Sequence, residues 1–237
     1  MCGRYTQFGS VREILTGVDT DAFMFNHGAR YNIAPTDEVA VIINDNGYKA
    51  LTMQWGLIPS WSKDGDIGRA IINARSETLL EKPTFKHAIK RRRCLIPADG
   101  FNEWFDDGTG KKPYYIRLKS QEQFCFAGLY DTWRTPTDAL LITCTIITCA
   151  PNALVGRIHN RMPVILHKRD YTTWLDTPPE EVDKIMPLLT AYPADEMEMY
   201  EVSRTVNSPK NDGPELIMPV QPTSVPGTMT VKRLKKG

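Results

Sequence analysis

The sequence predicts an α+β fold: a single domain with a curled, mainly antiparallel, barrel-like β-sheet and a few peripheral helices. Short segments rich in β-branched and aromatic residues fill most of the first two thirds of the chain, and Gly, Pro, Asn or Asp clusters bound most of them. Candidate helices are few and do not alternate regularly with the strands, which argues against a parallel α/β fold. The 237 residues suffice for one large domain, and no internal repeat or low-complexity linker divides them.

The individual elements follow from local patterns. Strands are predicted over residues 39–44, 50–55, 114–118, 124–129, 140–148 and 162–166. Helices are predicted over residues 11–15, 78–90, 169–175 and 179–189. Ser76 is placed to cap the second helix, and the fourth opens on a proline and two glutamates. The longest apolar run, residues 139–150, is too short to span a bilayer as a helix, so no membrane role is indicated.

Composition and charge exclude several classes of protein. With 41% hydrophobic and 24% charged residues, the chain is neither disordered, collagen-like nor a coiled coil. A net charge of +1 argues against nucleic-acid binding through overall basicity but allows a local patch. The six Lys and Arg residues between positions 82 and 93 are either a solvated helix end or such a patch. We expect one domain over residues 1–220, followed by a disordered basic tail over residues 221–237.

The cysteines indicate a reducing compartment. The chain has five of them and no CxxC pair, so neither a zinc knuckle nor a disulfide scaffold is predicted. We therefore expect reduced thiols and a cytoplasmic or nuclear protein.

Cys2 is the first candidate functional residue. An initiator methionine is generally removed when a small residue follows, so we expect the mature chain to begin with this cysteine. Its α-amine would then have a pKa of about 7.7 to 8.0 and its thiol one of about 8.5. The pair could act as a thiol nucleophile with an amine base, or as an amine that captures an aldehyde before the thiol closes a thiazolidine. An incidental second residue is the third alternative. In an extended segment Arg4 shares the face of Cys2 and could hold an anion.

Glu103 lies on a strand predicted after a turn at Asp99-Gly100. Period-two alternation puts it on one face with Phe101 and Phe105. A carboxyl buried between aromatics has a raised pKa and suits a general acid, whereas one at a strand edge simply reaches water. Both interpretations stay open.

Further candidates are polar or aromatic residues near predicted loops. His159 is flanked by Arg157 and Arg161, cations unusual around a purely structural histidine. Asn73 ends an apolar run and could equally form an Asx turn or a helix cap. Trp61 is predicted on a loop, available to stack on a base, and Trp104 neighbours Glu103.

These segments together resemble the SOS response-associated peptidase (SRAP) family, whose members cross-link to abasic sites in single-stranded DNA. The matching stretches are MCGR (1–4), RYNIAPT (30–36), WGLIPSW (55–61), NARSET (73–78), RCLIPADGF (93–101), AGLYDTW (127–133), IHNRMP (158–163) and VSRTVN (202–207). One departure is Asn102, where the family usually has an aromatic residue. Since it points away from Glu103 on the predicted strand, we expect altered packing or groove shape and an intact catalytic set.

The resemblance implies roles for the candidates. Cys2 would form a thiazolidine with the open-chain sugar aldehyde, Glu103 would act as the acid, His159 would assist ring opening or relay a proton, and Asn73 would orient Cys2. Phosphates would bind Arg4, Arg75 and Arg161, and bases would stack on Trp61 and Trp104. Neither a metal nor a nucleotide cofactor is required. The expected partner is single-stranded DNA with abasic sites, bound by a monomer that is nucleoid-associated if the protein is bacterial.

Three other functions remain open. Glutamine amidotransferases and related N-terminal nucleophile hydrolases also begin Met-Cys-Gly, although Arg4-Tyr5 here replaces their usual apolar pair. A peptidase, acting on its own initiator methionine or on the cross-link, would use the same residues. A single-stranded DNA-binding module with an inert cysteine would bind regardless of the lesion and weaken strongly with salt.

Overall fold

The computed structural model describes residues 2–14, 28–63 and 71–220. Its β-strands are Tyr5–Gln7 (β1), Arg30–Ile33 (β2), Glu38–Asn44 (β3), Tyr48–Trp55 (β4), Asn73–Arg75 (β5), Arg93–Ala98 (β6), Gly100–Asp106 (β7), Lys111–Leu118 (β8), Phe124–Arg134 (β9), Leu140–Cys149 (β10), Met162–Pro163 (β11), Ile165–Leu166 (β12) and Met197–Glu201 (β13). The α-helices are Pro83–Lys86 (α1), Ala88–Arg91 (α2) and Tyr171–Asp176 (α3). The 3₁₀ helices are Val11–Glu13, Ser76–Thr78, Val155–Arg157, Lys168–Asp170, Pro179–Lys184, Met186–Leu188, Ala194–Glu196, Arg204–Asn207 and Pro214–Ile217.

Five strands close into a barrel. β10 pairs with β4, β4 with β3, β3 with β6, β6 with β9, and β9 with β10 again. Strand directions cannot alternate all the way around a ring with an odd number of members, and accordingly the β4–β10 pair is parallel while the other four are antiparallel. The predicted α+β fold with a curled, mainly antiparallel, barrel-like sheet is confirmed.

A second sheet, with strand order β13-β8-β7-β1-β2, packs against the barrel. Tyr5 of β1 meets Trp55 and Phe126 edge-on at centroid distances of 5.3 and 5.7 Å, and Phe101 of β7 meets Phe126 at 6.1 Å. Such aromatic pairs contribute about 0.5–1.5 kcal/mol each beyond the area that they bury. The packing fixes β1, and with it the N-terminal residues, against the barrel.

The strand predictions are largely confirmed. Each predicted strand lies on an observed one, except that residues 162–166 divide into β11, which pairs with β10, and β12, which pairs with β9. The chain changes direction at Asp99, as predicted, but not in a β-hairpin. The bend carries the chain from the barrel strand β6 to β7 of the second sheet, where a Cβ at Gly100 would overlap the Tyr115 ring.

The long helix predictions are wrong. Residues 78–90 hold only α1 and the start of α2, because Pro83 has no N–H to continue a preceding helix and instead begins α1. Ser76 lies inside the 3₁₀ turn that follows β5 and is not its cap. Residues 179–189 form two 3₁₀ turns, the second containing Pro187. Of the shorter helix predicted over residues 11–15, residues 11–13 form a 3₁₀ turn, and Leu15 lies outside the described residues. Within the described ranges, no helix has the length and hydrophobicity that a bilayer crossing requires.

The basic block includes structural arginines. The buried Arg93 guanidinium donates to the carbonyls of Ile89 and Lys90 at the end of α2 and to Trp174 and Thr177 at the end of α3. These carbonyls lack partners within their helices, so the cation caps both C-termini. Arg93 is therefore neither part of a solvated helix end nor available to bind DNA.

Candidate active site

Cys2 is held at the edge of the barrel before β1 begins. Asn73, the first residue of β5, donates from its side-chain amide to the Cys2 carbonyl at 2.9 Å. β5 itself pairs with β10 of the barrel, with Asn73 opposite Ile146. Cys2 is fully buried, and burial together with the nearby Glu103 charge raises the pKa of its thiol far above the usual range. The thiol is therefore protonated at neutral pH in this structure.

Glu103 supplies a carboxyl that holds a proton near neutrality. Its side chain on β7 is only 3% exposed, and burial raises its pKa to about 7. The positive charge of the amino terminus opposes that rise. The pKa of His159 is lowered, first by burial and then by the same positive charge. Glu103 is thus a buried carboxyl with a raised pKa and not a strand-edge residue in water.

His159 lies between the 3₁₀ turn Val155–Arg157 and β11, and the backbone of Arg161 contacts its ring. The N–H and the carbonyl oxygen of Arg161 are each 3.0 Å from Nδ1. Nδ1 accepts from the N–H when the neutral ring carries its proton on Nε2, and it donates to the carbonyl when that proton is on Nδ1. A protonated ring can instead donate from Nδ1 to the carbonyl, so the same backbone supports both states.

One open cavity brings several of these groups together. It has a volume of about 460 Å³ and is lined by Arg4, Glu103, Trp104, Lys111, His159 and Asn207. Cys2 is close enough to Glu103 for the carboxylate charge to raise the pKa of its thiol. Asn73, which binds Cys2, completes the group, so the four residues predicted to be catalytic meet in one region of the fold.

Arg4 and Trp104 form one wall of this cavity. The Arg4 guanidinium carbon is 5.9 Å from the centre of the Trp104 ring, within the range of a cation–π contact. Arg4 also donates to Asn32 Oδ1 at 3.2 Å and to the Val206 carbonyl at 3.0 Å, and Trp104 donates from its indole N–H to Asn207 Oδ1 at 2.7 Å. Both side chains are thus fixed before any ligand arrives.

Sequence reasoning missed three residues of the site. Asn32 and Asn207 stand in two of the recognised motifs, but nothing local to either shows that they meet Arg4 and Trp104. Lys111 adds a second cation to the cavity. The sequence signal that could have located it is the Gly- and Asp-rich turn before it, which forms the end of the β7–β8 hairpin and pairs Asp106 with Lys111.

The other predicted DNA-binding residues lie outside the cavity lining. Arg75, at the end of β5, is exposed and forms no ion pair with any residue of the described ranges. Trp61, in the loop after β4, is 67% exposed. Arg161 is largely buried and paired with Glu77.

Residues 1–209 match the family model described as SOS response associated peptidase (SRAP). The chain belongs to the SRAP family. It is 48% identical to the abasic site processing protein YoqW of Bacillus subtilis over 92% of this chain and 99% of that protein. It is also 34% identical to the chicken abasic site processing protein HMCES, over 78% of this chain and 62% of that one. An X-ray structure of a Bacteroides thetaiotaomicron protein superimposes with a TM-score of 0.82 at 26% identity, covering 93% of the SRAP chain described here and 100% of the other.

Proposed function

We propose that this protein processes abasic sites in single-stranded DNA by forming a covalent thiazolidine cross-link through Cys2. The observation that carries the proposal is the cavity lined by both Glu103, whose pKa burial raises to about 7, and His159, beside a second-position cysteine bound by Asn73. The relatives named abasic site processing proteins support the same substrate.

The reaction starts from the aldehyde form of the abasic sugar, after removal of Met1 has freed the Cys2 amine. His159 assists ring opening of the sugar by moving a proton. The amine adds to the aldehyde, and Glu103 protonates the departing hydroxyl, so that one water leaves as the imine forms. The Cys2 thiol then adds to the imine carbon and its proton passes to the nitrogen, which closes the ring without any redox step.

Ring closure protects the DNA strand. An iminium acidifies the neighbouring sugar carbon and leads to β-elimination and strand scission. The thiazolidine has no such electron sink, so the lesion is held in a stable adduct.

The DNA is bound by phosphate contacts and stacking. Arg4 and Lys111 are the cations of the cavity, and the exposed Arg75 extends the phosphate contacts, whereas Arg161 is engaged by Glu77. Trp104 stacks on a base next to the lesion, and the exposed Trp61 on a more distant one. We propose a monomer that acts without a metal or nucleotide cofactor, in the cytoplasm or at the nucleoid. The family description adds a peptidase activity, for which Cys2, Glu103 and His159 would also serve, with Met1 as its simplest substrate.

The test is a denaturing gel with a single-stranded oligonucleotide that contains one abasic site. Protein whose intact mass shows that Met1 has been removed is expected to give a denaturant-resistant adduct, and Cys2→Ala none. Cys125→Ala is the matched control, since it removes another buried thiol. An adduct that survives Cys2→Ala would overturn the proposal, and glutaminase activity without an adduct would favour an N-terminal nucleophile hydrolase instead.

A further inference from the structure

Glu77 binds Arg161 through two parallel hydrogen bonds. Nη1 and Nη2 of Arg161 donate to the two carboxylate oxygens at 2.6 and 2.9 Å, and Nη2 also donates to the Thr148 carbonyl at 2.6 Å. The Arg161 side chain is 14% exposed, against 50% for Glu77. A two-point contact of this kind fixes the plane of the guanidinium as well as its position.

Arg161 connects this ion pair to the cavity. Glu77 stands in the 3₁₀ turn that directly follows β5, the strand that carries Asn73, and Thr148 belongs to β10. The side chain of Arg161 is therefore tied to the barrel, while its backbone N–H and carbonyl contact Nδ1 of His159. Whatever holds Arg161 in place also holds the two backbone groups that orient the imidazole.

We infer that Glu77 is a positioning residue, which orients His159 for proton transfer by fixing Arg161. The inference rests on the proposed function, because it gives Glu77 a part in the same reaction. In Glu77→Gln the ion pair is lost and the amide nitrogen cannot accept the second hydrogen bond, so Arg161 is held less firmly and residues 159–161 gain freedom to turn the ring. Since a misplacement of about 1 Å in a catalytic constellation can cost on the order of 100-fold in rate, we expect Glu77→Gln to slow adduct formation by about 10-fold.

The experiment separates rate from affinity. Single-turnover adduct formation at saturating abasic DNA gives the rate, and equilibrium binding to intact single-stranded DNA gives Kd. The variants are Glu77→Gln, Glu77→Asp, His159→Ala and the double variant Glu77→Gln/His159→Ala. The matched control is Glu81→Gln, an exposed glutamate a few residues along that pairs with no cation among the described residues. Thermal unfolding of each variant verifies that it is folded.

We expect Glu77→Gln to lower the rate with little change in Kd, Glu77→Asp to restore part of it, and Glu81→Gln to behave as wild type. In the His159→Ala background, Glu77→Gln should have no further effect, because its route of action is gone. The same loss in both backgrounds, or a loss confined to Kd, would overturn the role of Glu77 while leaving the proposed function standing. Failure of the wild-type protein to form an adduct would instead reject the proposed function itself.

Discussion

The side-chain amide of Asn73 donates to the backbone carbonyl of Cys2 at 2.9 Å. This bond ties residue 2 to strand β5 and so to the barrel. It leaves the Cys2 amine and thiol unengaged by Asn73 while fixing the backbone from which both project. We therefore expect Asn73 to affect the rate of the reaction more than the binding of DNA.

Replacing the amide with a carboxylate tests this. Asn73→Asp keeps the shape of the side chain but removes the donor and sets a negative oxygen against the Cys2 carbonyl. The rate of adduct formation at saturating DNA should fall by about 10- to 100-fold through misplacement of Cys2, as measured by single-turnover gels. The affinity for DNA without a lesion should stay within about twofold. A wild-type rate for this variant would exclude the positioning role.

The thiol has a separable part in the proposed chemistry. Cys2→Ser retains the α-amine and can still form an imine, but the hydroxyl makes a far less durable ring. Less adduct should survive heating, and more of the DNA strand should be cleaved by β-elimination. Both quantities can be read from one denaturing gel, and an adduct as heat-stable as that of the wild type would contradict the thiazolidine.

The pH dependence of the reaction should be bell-shaped. The Cys2 amine must be free, which favours pH above about 7.7, its ordinary pKa. Glu103 must be protonated, and because burial raises its pKa to about 7, this fraction falls as the pH rises through that value. The rate should therefore peak between these two values. Glu103→Gln should be about 100-fold slower or more and should lose the alkaline limb, since an amide does not titrate. A wild-type rate that keeps rising to pH 9 would rule out Glu103 as the acid.

Lys111 and Lys112 form a natural pair for testing phosphate contacts. Lys111 lines the cavity, whereas Lys112 is bound to Asp107 at 2.6 Å. Lys111→Gln should weaken DNA binding and reduce the slope of log K against log salt by about 0.7, the value for one single-strand phosphate contact. Lys112→Gln should leave the slope unchanged. Equal effects of the two substitutions would show that Lys111 contributes only general charge.

Asn102 is a site where stability can be gained. It is fully buried opposite Tyr115 of β8, and its backbone N–H donates to the Arg4 carbonyl. Neither polar atom of its side-chain amide has a hydrogen-bond partner among the described residues. An unsatisfied buried amide costs about 1–3 kcal/mol, so Asn102→Leu should raise the free energy of unfolding by about 1 kcal/mol or more. For a domain of this size that is an increase in Tm of about 2–4 °C. A lower Tm would mean that the amide is satisfied in solution.

The sequence by itself determined the residue types of the site and most strands. Period-two alternation placed Glu103 on the opposite face of β7 from Asn102, and β-branched runs located β3, β4, β9 and β10, because these patterns depend on neighbours a few positions away. The recognised motifs contain Cys2, Asn73 and His159, and Glu103 lies two positions after one of them. The helix over residues 78–90 failed even at this local level, since Pro83 outweighed the surrounding helix formers.

Only the tertiary structure decided what those residues do to one another. Cys2 and Asn73 are 71 positions apart, and their hydrogen bond exists because β5 joins the barrel beside the start of β1. The raised pKa of Glu103 comes from its burial, and the pairing of Arg161 with Glu77 comes from a contact across 84 positions. Burial and long-range contacts arise from closure of the barrel and docking of the second sheet. A pKa or an ion pair that depends on them cannot be read from spacing along the chain.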